Sequence, residues 1–407
     1  MKIVLFTENY YKGGLDTFII SLINNWPNKN DHIELICNYD HPGNETYNSQ
    51  IKRDFLLTTY SLYNRLFLVK KLDKISPIKY INNIIGYIFK YPLFIKNIFV
   101  LQKILLKNMP DRLMVINGGY PGGDFCRAAT ISWGLFSLNK HSIHNFHNIA
   151  HTPRKLLFIF EYIIDKMINK YSRYLVSVSK YASESILSRR GFSGTNKIKY
   201  IYNGINQKNI GKNQSLHSDL DIENNNLICV MLGTYEVRKG HDFVFKAFRK
   251  TIDIVSNVHL LCAGYGSKEE IQNVNELVVK YNLTENVHIR GFINEVENII
   301  SQADLLLIGS QAFESFGYTA IEAMSYQVPV IATNVGGLPE VVMNGEGGYC
   351  LDNSDAEGYA NKIIELLNDE SIRTIQGRKG YFRYKQYFTA EKMATEYSML
   401  IKEKGSV

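Results

Sequence analysis

The five cysteines of this 407-residue chain form no C-x-x-C pair. Cys37, Cys126, Cys229, Cys262 and Cys350 are scattered, four of them in or beside apolar runs. That argues against a disulfide framework and for buried, reduced thiols in a cytosolic setting. The opening MKIVLFTEN has one lysine, a short apolar run and no small-residue cleavage pattern, so it reads as a first strand and not as a signal peptide. No segment reaches the roughly 18–20 uninterrupted apolar residues of a transmembrane helix. Low-complexity tracts and internal sequence repeats are absent, and so is the G-x-G-x-x-G dinucleotide fingerprint. No recognised nucleic-acid module accompanies the net charge of +7, which sets nucleic acid aside as a partner.

What remains is a chain with 45% hydrophobic residues, too long for one ordinary core and suited to two domains. Its charge is uneven. Residues 1–205 hold 27 Lys and Arg against 13 Asp and Glu, a balance of +14; residues 206–407 hold 19 against 26, or −7. A basic half beside an acidic half implies different partners for each. Short apolar runs alternate with helical spacing throughout, the pattern of parallel-sheet α/β domains. We expect two Rossmann-like parallel-sheet domains facing a central cleft. The first spans 1–205 and the second 227–385, joined by a polar, turn-rich linker at 206–226, with a terminal helix at 386–407.

The most informative stretch is 304–342, DLLLIGSQAFESFGYTAIEAMSYQVPVIATNVGGLPEVV. It reads as strand, loop, helix, strand, loop, helix. Glu314 lies in the first loop and Glu322 in the helix that follows, one turn past Tyr318. Peptide N–H groups around Ser315, Phe316, Gly317, Tyr318 and Thr319 have no intrahelical partners, so the helix start suits an anion. Ionised carboxylates accept hydrogen bonds only, which suits diols. Phosphate donors between two diol acceptors make a nucleotide-sugar cradle. Upstream, GTYEVRKG (233–240) places Arg238 and Lys239 at a strand-to-helix junction, where a diphosphate wants fixed cations.

Residues 62–112 carry ten basic and two acidic residues among Tyr, Phe, Leu and Ile, with Pro92 expected to break a helix. Two readings stand: ordinary helices with snorkelling lysines, or a basic, aromatic surface that docks on an anionic leaflet. The glycine-dense NGGYPGGDF (117–125) leaves room for a ligand, and SIHNFHNI (142–149) brings His144 and His147 to a strand end. Asp219 and Asp221 form a D-x-D string, but it lies in the linker and receives no metal role.

ESFG, EAM, PVIAT and GGLPEVV, together with VSVSKYASESI, KYIYNGI, RKG, AGYG and the Gly-Phe turn at 291–292, resemble the retaining glycosyltransferases of family 4, which have the GT-B fold. The resemblance runs over nearly the whole chain and points to members acting in bacterial surface-polysaccharide assembly. It implies transfer of a hexose-type sugar from a nucleotide sugar, UDP before GDP, with retention and without a metal or other cofactor. The acceptor implied is a glycan, lipid-linked, in capsule, exopolysaccharide or O-antigen assembly. Under it Gly13 and Gly14 approach the donor diphosphate, and Gly264, Phe292 and Ile293 lie near the donor base. His147, with His144 as runner-up, faces the transferred sugar. Glu314 and Lys239 act at the reacting centre, joined by Arg238, which replaces the family arginine absent at Thr234. Glu322 holds the ribose, and the last helix crosses back to the first domain. Location follows as cytoplasmic, peripheral on the inner face of the membrane. A catalytically inactive nucleotide-sugar-binding subunit and an epimerase on the same fold are the alternatives.

Overall fold

The computed structural model describes residues 1–107, 109–137, 141–210, 215–293 and 295–403. They form two compact units, Met1–Tyr202 with Ala390–Val407, and Asn203–Thr389.

The first unit contains, among the described residues, a seven-stranded parallel sheet. Its strands are β1 (Lys2–Glu8), β2 (His32–Asn38), β3 (Leu56–Tyr60), β4 (Arg112–Asn117), β5 (Ser142–Phe146), β6 (Ser172–Ser177) and β7 (Ile198–Tyr200), in the order β3-β2-β1-β4-β5-β6-β7. Phe6 of β1 sits opposite both Ile36 and Val115. The strands are continuous apolar runs because helices cover both faces. Val4 and Phe6 pack into one core with Phe94, Leu101, Phe125 and Ile131. Ile3 and Leu5 pack into the other with Phe18, Leu22, Met393 and Tyr397.

Two helices depart from expectation. The terminal helix expected at 386–407 starts later, at Ala390, because residues 386–387 still belong to the preceding helix. Helix Glu370–Tyr387 belongs to the second unit and Ala390–Lys402 to the first. Phe388, fully buried, leaves the helix between them, and its carbonyl accepts from the Ile205 N–H at 3.0 Å. The units therefore divide at 202/203 and 389/390. The stretch expected as a bare linker contains helix Leu216–Leu220, whose two leucines are buried; its residues 211–214 lie outside the described ones.

Pro92 does not end a helix either. Helix Lys79–Leu106 runs through it for 28 residues. The proline leaves the Ile88 carbonyl without its i+4 partner, but burial of Phe94, Ile98, Leu101 and Leu105 holds the turns beyond. By length and composition, with a mean hydropathy of 1.5, this helix is long and apolar enough to cross a membrane. One side of it packs on helix Asp124–Phe136; Ile84, Ile88, Ile95 and Phe99 on the other side are exposed.

The second unit holds β8 (Leu227–Leu232), β9 (Val258–Ala263), β10 (Val287–Arg290), β11 (Leu305–Ile308), β12 (Val330–Thr333) and β13 (Gly348–Leu351), all parallel, in the order β10-β9-β8-β11-β12-β13. Strand order reverses between β1 and β4 in the first sheet and between β8 and β11 in the second. Ligands of open α/β sheets bind at the carboxyl ends of strands beside such reversals.

Candidate functional site

In the second unit the loops after β8 and β11 flank the reversal. The β8 loop ends in a 3-10 turn, Val237–Lys239, then Gly240 at φ 75°. A Cβ on Gly240 would lie 1.9 Å from the Gly309 carbonyl oxygen, so only glycine lets the two loops close. That approach places Lys239 Nζ 2.7 Å from Glu314 Oε2, with both side chains about one-fifth exposed (21% and 19%). Ser310 Oγ donates to the same carboxylate oxygen at 3.3 Å, and the Glu314 carbonyl accepts from the Gly337 N–H at 2.8 Å. Glu314 is thus held from both ends of its residue.

Arg238 is placed differently. Its Nε lies 2.6 Å from Glu236 Oε2, and its guanidinium stacks over Phe313 at 4.9 Å. Thr234 Oγ1 donates to Glu236 at 2.9 Å. The Arg238 hydrogen bond holds the Glu236 carboxyl below its usual range. The guanidinium expected to clamp an anion is therefore already neutralised within its own loop. Lys239, with three donors, spends one on Glu314.

Helix Tyr318–Ser325 starts at Gly317, φ 110°, where a Cβ would come within 2.7 Å of Leu338 Cδ2. Ser315 is buried, and Phe316, 2% exposed, packs edge-on against Phe388. Phe316 is therefore an anchor of the loop, while Tyr318 and Thr319 supply the first-turn N–H groups. The Glu322 backbone carbonyl accepts from Ser325 Oγ at 2.7 Å, while its carboxylate has no hydrogen-bond partner among the described residues. Burial pushes its carboxyl up to about 7; Lys208 opposes that and Glu297 adds to it. Lys208 is itself committed to Glu297 at 3.0 Å. Gly264 serves loop packing, since a Cβ there would lie 1.6 Å from the Gly233 carbonyl oxygen. Phe292, two residues past β10, is 63% exposed and meets the Tyr265 ring edge-on at 6.1 Å. Ile293 lines a cavity of about 490 Å³ with Arg290 and Asp219, the first residue of the D-x-D string.

In the first unit the Gly13 N–H donates to Asp16 Oδ2 at 2.9 Å, so the Gly-Gly turn caps helix Gly14–Asn24. His144 is a core residue. Its Nδ1 lies 2.7 Å from Thr130 Oγ1 and its Nε2 3.4 Å from Asn117 Nδ2. Burial and the Arg127 charge lower its pKa to about 3. His147, past the end of β5, packs edge-on against Phe18 at 4.1 Å and leaves Nε2 without a partner among the described residues. Burial likewise lowers its pKa to about 3. Of the two histidines, His147 keeps an unused ring nitrogen.

A second cavity of about 600 Å³ opens at the β1/β4 reversal. Its floor holds Glu8, which accepts from the Phe125 N–H (2.8 Å), Tyr10 Oη (3.0 Å) and Asn64 Nδ2 (3.2 Å). Burial and nearby Asp124 raise its carboxyl to about 7. Sequence reasoning missed this residue. Its only signal was an acid closing the apolar run of the first strand. Beneath the pocket, Glu161 binds Arg127 (2.6 Å), Lys90 (2.9 Å) and Arg189 (3.3 Å), and Asp165 binds Arg189 (2.9 Å). An arginine inside the apolar stretch DFCRAATISW was the signal for that cluster.

Residues 212–383 match the family model described as glycosyl transferases group 1, a range that falls within the second unit. The chain is 30% identical over 205 residues to the N-acetyl-alpha-D-glucosaminyl L-malate synthase of Bacillus anthracis, covering 50% of this chain and 53% of that protein. It is 28% identical over 242 residues to the capsular polysaccharide biosynthesis glycosyltransferase CapM of Staphylococcus aureus, covering 58% and 61%. The chain thus spans somewhat more than half the length of these relatives. Among solved structures, a glycosyltransferase from Rickettsia africae superposes with a TM-score of 0.77 at 18% identity over 98% of this chain and 97% of that one. Anabaena HepE in complex with UDP gives 0.74 at 16% identity over 98% and 99%. These likenesses give the fold: GT-B, two Rossmann-like units in one chain.

Proposed function

We propose that the chain is a retaining, metal-independent glycosyltransferase that moves a hexose-type sugar from a nucleotide sugar, UDP-linked before GDP-linked, to a lipid-linked glycan in capsule, exopolysaccharide or O-antigen assembly. The observation that carries this reading is the Lys239–Glu314 pair at the β8/β11 reversal, in the same unit as the start of helix Tyr318–Ser325 and the Glu322 carboxylate. The UDP and UDP-glucose complexes of HepE support the donor class.

In this reading the bond from sugar C1 to the diphosphate oxygen breaks. An acceptor hydroxyl oxygen bonds to C1 on the same face, and its proton passes to the departing phosphate. No side chain need act as base. Lys239 and the N–H groups at 315–319 stabilise charge growing on the leaving diphosphate. Glu314 orients the sugar and Glu322 the ribose hydroxyls. Phe292 and Ile293, beside Gly264, border the base. His147 contacts sugar or acceptor through Nε2, and the Gly13-Gly14 turn lies along the diphosphate. Arg238 contributes once the diphosphate competes with Glu236 for it.

Incubation with UDP- and GDP-hexoses tests the reading through release of nucleoside diphosphate and labelled sugar. Slow donor hydrolysis that accelerates with acceptor supports it. Nucleotide binding without turnover would instead support an inactive binding subunit, and free, altered sugar nucleotide an epimerase.

Glu322 gives this site a pH signature. The ionised carboxylate accepts from ribose hydroxyls through both oxygens and more strongly than the protonated form, which keeps one carbonyl acceptor, and the carboxyl sits near 7 in the free protein. Nucleotide affinity is therefore expected to rise about three- to tenfold from pH 6 to pH 8. Glu322→Gln should bind more weakly and without that slope. Calorimetric titration at several pH values checks both.

We also place the protein at the cytoplasmic face of the membrane, docked through 62–112. Exposed Ile84, Ile88, Phe89 and Tyr80 share this segment with its lysines. Co-sedimentation with phosphatidylglycerol vesicles is expected at low salt and should weaken as salt screens the lysines. Equal recovery with neutral vesicles would contradict it.

A further inference from the structure

We infer that the mouth of the first unit's pocket is a clasp for the phosphate of a long-chain phosphate ester. Arg65, Tyr87 and Arg154 build the clasp, and the chain lies over the apolar surface that begins at Leu157. The inference rests on the transferase reading for why such an ester would arrive, and on geometry for the site.

The basic residues around this pocket fall into two groups. Lys90, Arg127 and Arg189 are each within ion-pair distance of Glu161, Asp124 or Asp165. Arg65 and Arg154 have no such carboxylate among the described residues, yet both are held in place. The Arg65 guanidinium stacks 3.7 Å over the Tyr87 ring, and Arg154 Nη1 donates to the Tyr87 hydroxyl at 2.6 Å. Arg65 Nη2 donates to Asn83 at 3.0 Å, while its Nε is buried without a hydrogen-bond partner. Two guanidiniums on opposite parts of one tyrosine also repel each other until an anion bridges them. Arginine forks match phosphate oxygens in pairs.

The surroundings select the kind of phosphate. Glu8, which is buried, and Asp124 also line the pocket, so their carboxyl groups disfavour an anion beside them while hydroxyl-bearing groups can enter. Outside the mouth, past the exposed Arg154 and Lys155, the surface carries large exposed apolar side chains. Leu156 is 96% exposed and Ile159 71%, and Phe160 and Ile88 are also exposed. Tyr91 stacks on Phe160 at 4.5 Å, which joins helix Lys79–Leu106 to helix Phe158–Tyr171 and makes that surface continuous. Apolar exposure on this scale marks an interaction site. Inorganic phosphate has no use for the apolar surface, and a flat leaflet has none for the pocket. An ester with a phosphate head and a long chain uses both.

The test measures binding of farnesyl phosphate, farnesol and inorganic phosphate to the whole chain. Farnesyl phosphate should bind at least about tenfold more tightly than either of the others, because only it fills both halves of the site. Arg65→Gln/Arg154→Gln should lose about thirtyfold or more of that affinity, with nucleotide binding unchanged. Arg154 is exposed, so R154Q alone, expected to lose about fivefold, reports the clasp if the double variant does not fold. Ile159→Asp should weaken farnesyl phosphate and leave inorganic phosphate unaffected. Equal affinity for inorganic phosphate would make this a free-anion site and overturn the inference. Phosphatidylglycerol vesicles competing as well as farnesyl phosphate would reduce it to leaflet binding and overturn it too. A protein that binds the ester but transfers no sugar contradicts the transferase reading alone; one that transfers sugar and ignores the ester contradicts the clasp alone.

Discussion

Lys239→Ala is expected to lower sugar transfer by about 10²–10³-fold, the range for removing one preorganised stabiliser of transition-state charge. The ammonium is fixed by its 2.7 Å contact with Glu314 and by Gly240, which lets the loops after β8 and β11 touch. Charge develops on the leaving diphosphate only as the C1–oxygen bond breaks, so turnover should fall more than nucleotide affinity. The variant also leaves Glu314 without its cation in a half-buried loop, which would misplace the carboxylate. Lys239→Arg keeps the charge but replaces a compact point donor with a broad fork, so it should recover only part of the activity. Transfer within about threefold of wild type in Lys239→Ala would remove Lys239 from the mechanism. Rates at saturating donor and acceptor check this.

Glu161→Ala is expected to cost the first unit about 3–5 kcal/mol, the range for breaking a buried ion pair from one side. Glu161 is the common partner of Arg127, Lys90 and Arg189. Arg127 and Arg189 are fully buried, and Arg127 is left with Asp124 and Arg189 with Asp165. Burial alone would raise the Glu161 carboxyl, but Arg127 and Lys90 overcome it and hold it down at about 2. A carboxylate depressed in the folded state stabilises the fold above its unfolded value of about 4.5 and loses that contribution as pH falls toward 2. Acid should therefore weaken the wild-type first unit through this window, and Glu161→Ala much less. Both tryptophans of the chain, Trp26 and Trp133, are buried in this unit. Urea unfolding followed by tryptophan fluorescence at pH 7 and pH 3.5 thus reports on it directly.

These two predictions differ in how far the sequence could see them. Lys239 and Glu314 are 75 residues apart, yet each sits in a loop after an apolar strand, and alternating strand and helix brings such loops to one edge of a parallel sheet. Strand β8 begins and ends with its apolar run, LICVML. The pairing of Arg238 with Glu236, two residues away, is not legible in the sequence because its reach depends on the 3-10 turn. Pro92 was read as a break because a local rule weighed more than the burial of the turns beyond it. The start of the terminal helix is not legible in the sequence because Phe388 suits a helix until its burial pulls it out of line. Glu8, Arg65, Tyr87 and Arg154 meet only through the topology of the first sheet, and no spacing in the sequence announces them.

The central claim is that the second unit binds a nucleotide sugar and the chain transfers its sugar with retention. The most direct test follows the anomeric configuration of sugar released from an α-linked UDP-hexose, by proton NMR before mutarotation scrambles it. The account predicts α-sugar first, at a rate that Lys239→Ala depresses. Initial release of the β-anomer, or no release from any UDP- or GDP-hexose in the presence of acceptor, would contradict it.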